Sequence, residues 1–235
     1  MLTESPRTAE NLHALLETFH QLLQAGRGAP PPLLVPALDT LPGQNLSPHS
    51  ELKAGRAVAL YRMAGGKFSI AVAPVTSALL RTGDAAACRR LALTVRINDD
   101  ISMEDLARHL ESIGYERREP VEMEGEYSIR GGIFDVFPAE AHKPVRIEFF
   151  GDTVESLRRF DADTQRSALR VEDVTLLPLE ETPRTRELLS ALAERLGRDD
   201  IVPGEVFGGW EFALPDVYKR QMDMRALDGP QNGLG

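Results

Sequence analysis

The feature that most constrains the fold is a series of short apolar segments in the middle of the chain. Each is four to seven residues long and rich in Val, Ile, Phe or Leu, which is typical of β-strands. Tight turns such as Gly131-Gly132 and Gly151-Asp152 separate several of them, and this close spacing favours an antiparallel meander. The predicted strands are residues 91–97, 120–123, 126–130, 133–137, 145–149, 154–160 and 171–177.

One predicted helix belongs to the same region. Ser102 is a typical N-cap residue, Asp105 follows three residues later, and Gly114 ends the helical pattern. Residues 89–179 are therefore predicted to form an α+β module with an antiparallel sheet. From residue 89 to residue 178 there are 13 basic and 19 acidic residues, a net charge of −6. A module with this charge is unsuited to wrapping DNA, so we expect its partner to be a protein.

The first 88 residues show a different pattern, in which helices alternate with short apolar runs. Ser5 and Pro6 begin a helix with a stripe of leucines, and residues 33–38 and 68–73 are predicted strands on either side of a helix at 52–63. This order is typical of an α/β fold. Because two strands are too few for such a fold, residues 1–88 are predicted to be part of a sheet whose other strands are missing.

The last part of the chain has a helical pattern only at residues 187–196, and residues 180–215 are predicted to return to the first domain. The hexapeptide DVYKRQ at 216–221 can be encoded by the end of a common transposon-based sequencing adapter. It contains Lys219, one of only four lysines in the chain. Residues 216–235 are therefore expected to be a non-native, adapter-derived tail, and we exclude them from fold prediction.

Charge and composition exclude several classes of protein. The formal net charge of −9 is wrong for a protein that coats nucleic acid, and no apolar run is long enough to span a membrane. The single cysteine, Cys88, forms neither an internal disulfide nor a CxxC pair. These features favour a soluble, cytoplasmic protein. Among the basic residues, 23 are arginine, which suits planar recognition of carboxylates, although a GC-rich genome gives the same bias.

Motifs that carry catalysis are mostly absent from the sequence. A phosphate-binding P-loop requires GxxxxGK[ST]. The nearest match, Gly65-Gly66-Lys67-Phe68, has Tyr61 in place of the leading glycine and Phe68 in place of the hydroxyl residue, so we predict a hairpin or a helix-to-strand turn there. The sequence has no GxSxG elbow, and its five histidines show no HExxH spacing. We predict no catalytic residues, no metal site and no cofactor in this chain.

A long and specific motif lies inside the α+β module. Residues 125–167 are GEYSIRGGIFDVFPAEAHKPVRIEFFGDTVESLRRFDADTQRS. This stretch closely resembles the module shared by bacterial transcription-repair coupling factors and the excision-repair subunit UvrB. LDTLPGQNLSPHSE at 38–51 and IAVAPVTSALLR at 70–81 resemble the coupling factors, and the tyrosine-rich YYDYYQPEAY segment of UvrB is missing. The resemblance covers roughly residues 1–215.

The resemblance implies that this chain is the amino-terminal, UvrB-like region of a longer ATP-dependent DNA translocase. Residues 1–88 would be a partial, helicase-like domain 1a without its P-loop, 89–179 the UvrA-binding domain, and 180–215 the start of domain 1b. Its implied function is non-catalytic: to recruit UvrA to stalled RNA polymerase in transcription-coupled nucleotide excision repair. The ATP- and Mg-dependent motor, and the contacts with RNA polymerase and double-stranded DNA, would belong to other parts of the parent.

Carried over residue by residue, the resemblance places the contacts with UvrA at Arg130, Arg146, Glu148 and Phe150. The last three alternate along one predicted strand and so share a face, while Ile147 and Phe149 would turn inward. The pattern alone favours a plainer interpretation, with Arg146 and Glu148 as a surface ion pair and Phe150 in the core. The alternative function is a fragment of an ATP-dependent, DNA-binding excision subunit or helicase of the UvrB type, which would need a basic groove or a tyrosine-rich hairpin.

Overall fold

A computed structural model describes residues 1–24, 28–40, 47–185 and 188. The chain divides into two compact units, one made of Met1–Ala37 and Ser50–Arg184 and the other of Leu38–His49 and Thr185–Gly235. Every helix and strand named below lies in the first unit. Apart from Leu188, the predicted helix at 187–196 lies outside the described residues, as does the predicted adapter-derived tail.

Three short parallel strands form the amino-terminal sheet, in the order β1-β3-β2. They are β1 (Leu2–Thr3), β2 (Leu33–Leu34) and β3 (Ala71–Pro74), and the helices α1 (Pro6–Gln24), α2 (Ser50–Ala64) and α3 (Val75–Ala78) alternate with them. The mixed α/β class is confirmed, as are shorter versions of both predicted strands. The sequence did not predict β1, because two residues are too few to show a strand period.

The glycine pair after α2 is a helix-to-strand turn, one of the two structures predicted for it. The amide of Gly65 donates to the carbonyl of Tyr61 at 3.1 Å, and the amide of Lys67 donates to the carbonyl of Arg62 at 3.0 Å. Gly66 has a φ of 65°, which favours glycine. In a phosphate-binding loop the amides precede a helix and point at the ligand, whereas here they satisfy the carbonyls at the end of one.

Helix α4 (Ala85–Leu91) leads into the α+β module, and helix α5 (Met103–Ser112) lies within it. Helix α4 was not predicted; Asp84 caps it by accepting a hydrogen bond from the amide of Ala87 at 2.6 Å. Helix α5 is confirmed with its predicted cap, because the Ser102 hydroxyl accepts from the amide of Asp105 at 3.0 Å. The predicted domain boundary at residues 88/89 falls inside α4.

The main sheet of the module has six strands, in the order β10-β9-β8-β7-β6-β5. Strands β6 to β10 pair as an antiparallel meander, of which β6 to β9 were predicted, while β5 pairs with β6 in parallel. A separate antiparallel pair joins β4 and β11. The strands are β4 (Leu93–Arg96), β5 (Glu116–Arg117), β6 (Glu126–Arg130), β7 (Ile133–Val136), β8 (Val145–Phe150), β9 (Thr153–Phe160), β10 (Ser167–Val171) and β11 (Asp173–Leu176).

The predicted strand at residues 120–123 is wrong. The amides of Glu122 and Met123 donate to the carboxylate of Glu126, at 2.8 and 2.9 Å, so these groups are bound in a local turn instead of a strand ladder. Strands β5 and β10 were not predicted. The first has only two residues, and the second, SALRV, has too few apolar residues to show an alternating pattern.

The core of the module lies between α5 and one face of the six-stranded sheet. Leu106, Leu110 and Ile113 are fully buried there, and the rings of Tyr127 and Phe134 stack with their centroids 5.3 Å apart. His109, on the last turn of α5, lies 3.0 Å through Nε2 from the carbonyl of Leu91. Burial lowers the pKa of His109 and so favours the neutral ring, while the hydrogen bond to Leu91 at the end of α4 partly opposes this shift.

A buried arginine connects the amino-terminal helices to the segment that follows β11. Arg56 of α2 is 1% exposed, and its Nε lies 3.1 Å from Oε2 of Glu181. The same guanidinium donates to Ser77 and to the carbonyl of Pro36, and nearby Lys53 pairs with Glu180 at 3.2 Å. A buried charge is stable only when it is paired and hydrogen-bonded. Because the members of these ion pairs come from both α2 and the segment after β11, the cluster holds the two segments in contact.

Candidate protein-interaction surface

The six-stranded sheet has one apolar face and one polar face. Antiparallel partners point to the same side of a sheet, so the pairing of β6 to β10 defines two rows across the face opposite the core. We call this the polar sheet face, with Phe150 at its end. One row is Ser128, Asp135, Arg146, Arg158 and Arg170, and the other is Arg130, Ile133, Glu148 and Ser156.

A buried carboxylate organises the centre of the polar sheet face. Asp135 of β7 is 1% exposed and accepts two hydrogen bonds from Arg146 of β8, from Nε at 2.7 Å and from Nη2 at 2.8 Å. This is a bidentate pair, and the hydrogen bonds to Asp135 raise the pKa of Arg146. The Arg146 guanidinium also lies over the ring of the buried Phe160, 4.7 Å from its centroid.

Arg146 is therefore mostly buried, with 15% of its side chain exposed. Its ion-pair partner is Asp135 on the neighbouring strand, and the surface ion pair with Glu148 that the pattern alone suggested is not found. The cause is the register of the sheet, because Asp135 and Arg146 are directly opposite each other on β7 and β8. A carboxylate and a guanidinium at directly opposed positions on adjacent strands are close enough to form hydrogen bonds.

Arg130 approaches the same carboxylate from the end of β6. Its Nη2 donates to Oδ2 of Asp135 at 2.9 Å, and its Nε lies 3.7 Å from Oε1 of Glu119. With 45% of its side chain exposed, Arg130 keeps donors available to solvent or to a partner. The chain turns sharply beside it at Gly131, where a φ of 59° suits glycine.

Glu148 of β8 lies on the second row of the polar sheet face, and its nearest partners on that face are on the adjacent strand, β9. The hydroxyl of Ser156, directly opposite, donates to its carboxylate, and Nη2 of Arg158 lies 3.9 Å away. About a third of the Glu148 side chain is exposed, at 34%. These two contacts fix the carboxylate of Glu148 while leaving part of it accessible.

Phe150 is the most exposed aromatic side chain among the described residues, with 80% of its surface in solvent. It ends β8 at the tip of the β8–β9 hairpin, next to Gly151, and shares the face of Arg146 and Glu148. Ile147 and Phe149 turn into the core, as the alternation predicted. The interpretation of Phe150 as a core residue is wrong, because no helix or strand of the described residues covers the polar side of the hairpin tip.

The polar sheet face thus combines the four predicted contact residues with others that the sequence did not reveal, among them Asp135, Ser156 and Arg158. Asp135 carries a signal in retrospect, since it is a charged residue between two core positions of an apolar strand. Its pairing with both Arg130 and Arg146 depends on strand register, which the sequence alone does not show. The arrangement offers charges of both signs beside an exposed aromatic ring, which is the chemistry of a protein interface.

The described residues contain no group of three or more His, Cys, Asp or Glu side chains that could hold a metal ion. No helix of the described part of the chain is long and apolar enough to cross a membrane.

Comparison with known families identifies the domain that contains this surface. Residues 93–181 match the family described as the UvrB interaction domain. The matched segment begins at β4 and ends at Glu181, the ion-pair partner of Arg56. The chain carries a UvrB interaction domain. The polar sheet face, with all four predicted contact residues, lies inside it.

Three curated relatives of the chain share one description. It is 34% identical over 195 residues to the transcription-repair-coupling factor of Myxococcus xanthus, covering 80% of this chain and 16% of that protein. It is 33% identical to the factor of Haemophilus influenzae and 34% identical to that of Escherichia coli, over 64% and 62% of this chain and 13% of each relative. The resemblance found in the sequence is confirmed, and the chain spans less than a fifth of these relatives' length.

Proposed function

We propose that the polar sheet face of this UvrB interaction domain binds UvrA, through Arg130, Arg146, Glu148 and Phe150. In the parent protein this contact would recruit UvrA to a stalled RNA polymerase in transcription-coupled nucleotide excision repair. The observation that carries the proposal is the exposure of Phe150 beside fixed charges, within a domain of this family. Aromatic and arginine side chains dominate the binding energy of most protein interfaces.

The rest of the proposal concerns the parts of the chain around this domain. Residues 1–88 would be a partial helicase-like lobe that binds no nucleotide and hydrolyses no ATP. The glycine pair supports this, because its amides satisfy the end of α2 and are not free to cradle a phosphate. The ATP and Mg of the motor, and the contacts with RNA polymerase and double-stranded DNA in the cytoplasm, would belong to the rest of the parent.

Replacing Phe150 tests the proposal with little risk to the fold. Because the side chain is almost fully exposed, Phe150→Ala should melt at the temperature of the wild-type chain. An aromatic anchor at the centre of an interface typically contributes about 2 kcal/mol or more, so the dissociation constant for purified UvrA should rise roughly thirtyfold. The measurement is a binding titration of the 235-residue chain against immobilised UvrA.

Leu169→Ala provides the matched control. Leu169 is an apolar residue of β10 that is 59% exposed, but it pairs with Arg159 and so faces away from the polar sheet face. Its replacement should leave the affinity within about twofold of wild type. Failure of the wild-type chain to bind UvrA, or equal losses in the two variants, would overturn the proposed function.

A further inference from the structure

Three arginines are directly opposite one another on adjacent strands of the polar sheet face. Arg146 of β8 pairs in register with Arg158 of β9, and Arg158 pairs with Arg170 of β10. Directly opposed side chains on antiparallel strands have Cβ atoms about 5 Å apart, and like charges at such positions destabilise the sheet. Repulsion among the three arginines therefore opposes folding unless carboxylates neutralise it.

The carboxylates of this face neutralise the row unevenly. Arg146 is fully paired through its two bonds to Asp135. Arg158 is half-exposed, and among the described residues its one ion-pair contact is with Glu148 at 3.9 Å, which itself accepts from Ser156. Arg170 is exposed, and no carboxylate of the described residues forms an ion pair with it. Positive charge thus increases from β8 towards the sheet edge at β10.

We propose that Arg158 and Arg170 extend the partner-binding surface to the β10 edge, where they bind carboxylates of an acidic segment on the protein partner. This inference rests on the proposed function and adds the chemistry of the surface that must meet this face. At about 4.8 Å per strand, the row from Asp135 to Arg170 is roughly 14 Å long. Two or three acidic side chains of an extended or helical segment would match it.

A protein partner fits these observations better than a nucleic acid does. The chain has a net charge of −9, which repels a polyanion at long range. Glu148 lies within the surface, beside Arg158, where a phosphate backbone would meet its negative charge. The exposed ring of Phe150 provides an apolar anchor, and guanidinium groups form planar, bidentate pairs with carboxylates.

Arg159 gives a control with the same chemistry on the opposite side of the same strand. It is exposed like Arg158, but it pairs with Val145 and Leu169 and therefore lies on the other face. Arg158→Glu and Arg159→Glu change the net charge of the chain equally. Any difference between them in binding must come from position and not from total charge.

The test measures affinity for purified UvrA with Arg158→Glu, Arg170→Glu and Arg159→Glu in the full chain. We expect the first two to weaken binding by about fivefold or more at about 50 mM salt and by less at about 300 mM, because the contacts are screened. Arg159→Glu should remain within about twofold. All variants should keep the wild-type melting temperature; if a reversal lowers it, Arg158→Gln and Arg170→Gln replace the reversals.

The outcomes separate this inference from the proposed function. If the wild-type chain binds UvrA and the three reversals have equal effects, the arginine row is not part of the interface and this inference fails alone. If the wild-type chain does not bind UvrA, the proposed function fails and the inference with it. If Arg158→Glu instead abolishes binding of the chain to a double-stranded DNA probe and leaves UvrA binding intact, the surface is a nucleic-acid site and the inference is overturned.

Discussion

Asp135 is the residue on which the geometry of the polar sheet face depends. It is a buried carboxylate with two arginine partners, and a buried charge of this kind is tolerated only while it stays paired and hydrogen-bonded. Arg146 supplies the bidentate bond and Arg130 the third one. The two predicted contact arginines therefore also stabilise the fold. Their contributions to the free energy of unfolding should differ, because Arg146 is more buried than Arg130.

Arg146→Ala should destabilise the folded chain as well as weaken binding. The change leaves Asp135 with one partly exposed arginine and removes the cation over Phe160, so we expect a loss of about 2 to 4 kcal/mol in the free energy of unfolding. Arg130→Ala should cost less, about 1 kcal/mol, because Arg146 still pairs with Asp135. Urea denaturation of both variants measures the difference. Equal stability of Arg146→Ala and wild type would show that the Asp135–Arg146 pair does not stabilise the fold.

At the scale of helices and strands, the α+β module is bounded by elements that a cut at residues 88/89 would damage. Helix α4 crosses that position, and its last residue, Leu91, belongs to the module core. At the other end, the amides of Leu179 and Glu180 both donate to the carbonyl of Ile113 after α5. A fragment that keeps these groups should be a better folding unit than one that ends at 179.

We expect a fragment of residues 82–185 to unfold in one cooperative thermal transition. A fragment of residues 89–179 loses the Asp84 cap and half of α4, so it should melt at least about 5 °C lower, the shift expected for roughly 1 kcal/mol in a domain of this size. Differential scanning calorimetry of the two fragments makes the comparison. If both melt at the same temperature, α4 and the Glu180 segment do not contribute to the stability of the module.

The sequence predicted the elements that carry their own local signals. Helix α5 has its Ser102 cap and Gly114 end, and β6 to β9 have alternating apolar residues between tight turns, so all of them were found. Residues 120–123 are apolar enough for a strand, but the Glu126 side chain takes their amides, and such competition is invisible in composition. The candidate contact residues came from a family resemblance. The pairing of Asp135 with Arg130 and Arg146 depends on strand register, so only the structure reveals it.

For the whole molecule, the central claim is that one face of one sheet binds the partner. The chain is acidic overall, yet this face concentrates arginines around a single buried carboxylate and ends in an exposed aromatic ring. The opposite face of the same sheet forms the core with α5, except at the β10 edge, where Arg159 and Leu169 are exposed. Binding should therefore depend on which side of the sheet a residue occupies, more than on its position in the chain.

Site-specific photo-crosslinking tests this claim most directly. The photoreactive amino acid benzoylphenylalanine would replace Phe150 in one variant of the full chain and Leu169 in another; both positions are exposed, and they lie on opposite faces of the sheet. On irradiation with purified UvrA, we predict a covalent adduct from position 150 and none above background from position 169. An adduct of equal yield from both positions, or one from position 169 alone, would contradict the assignment of the polar sheet face as the UvrA-binding surface.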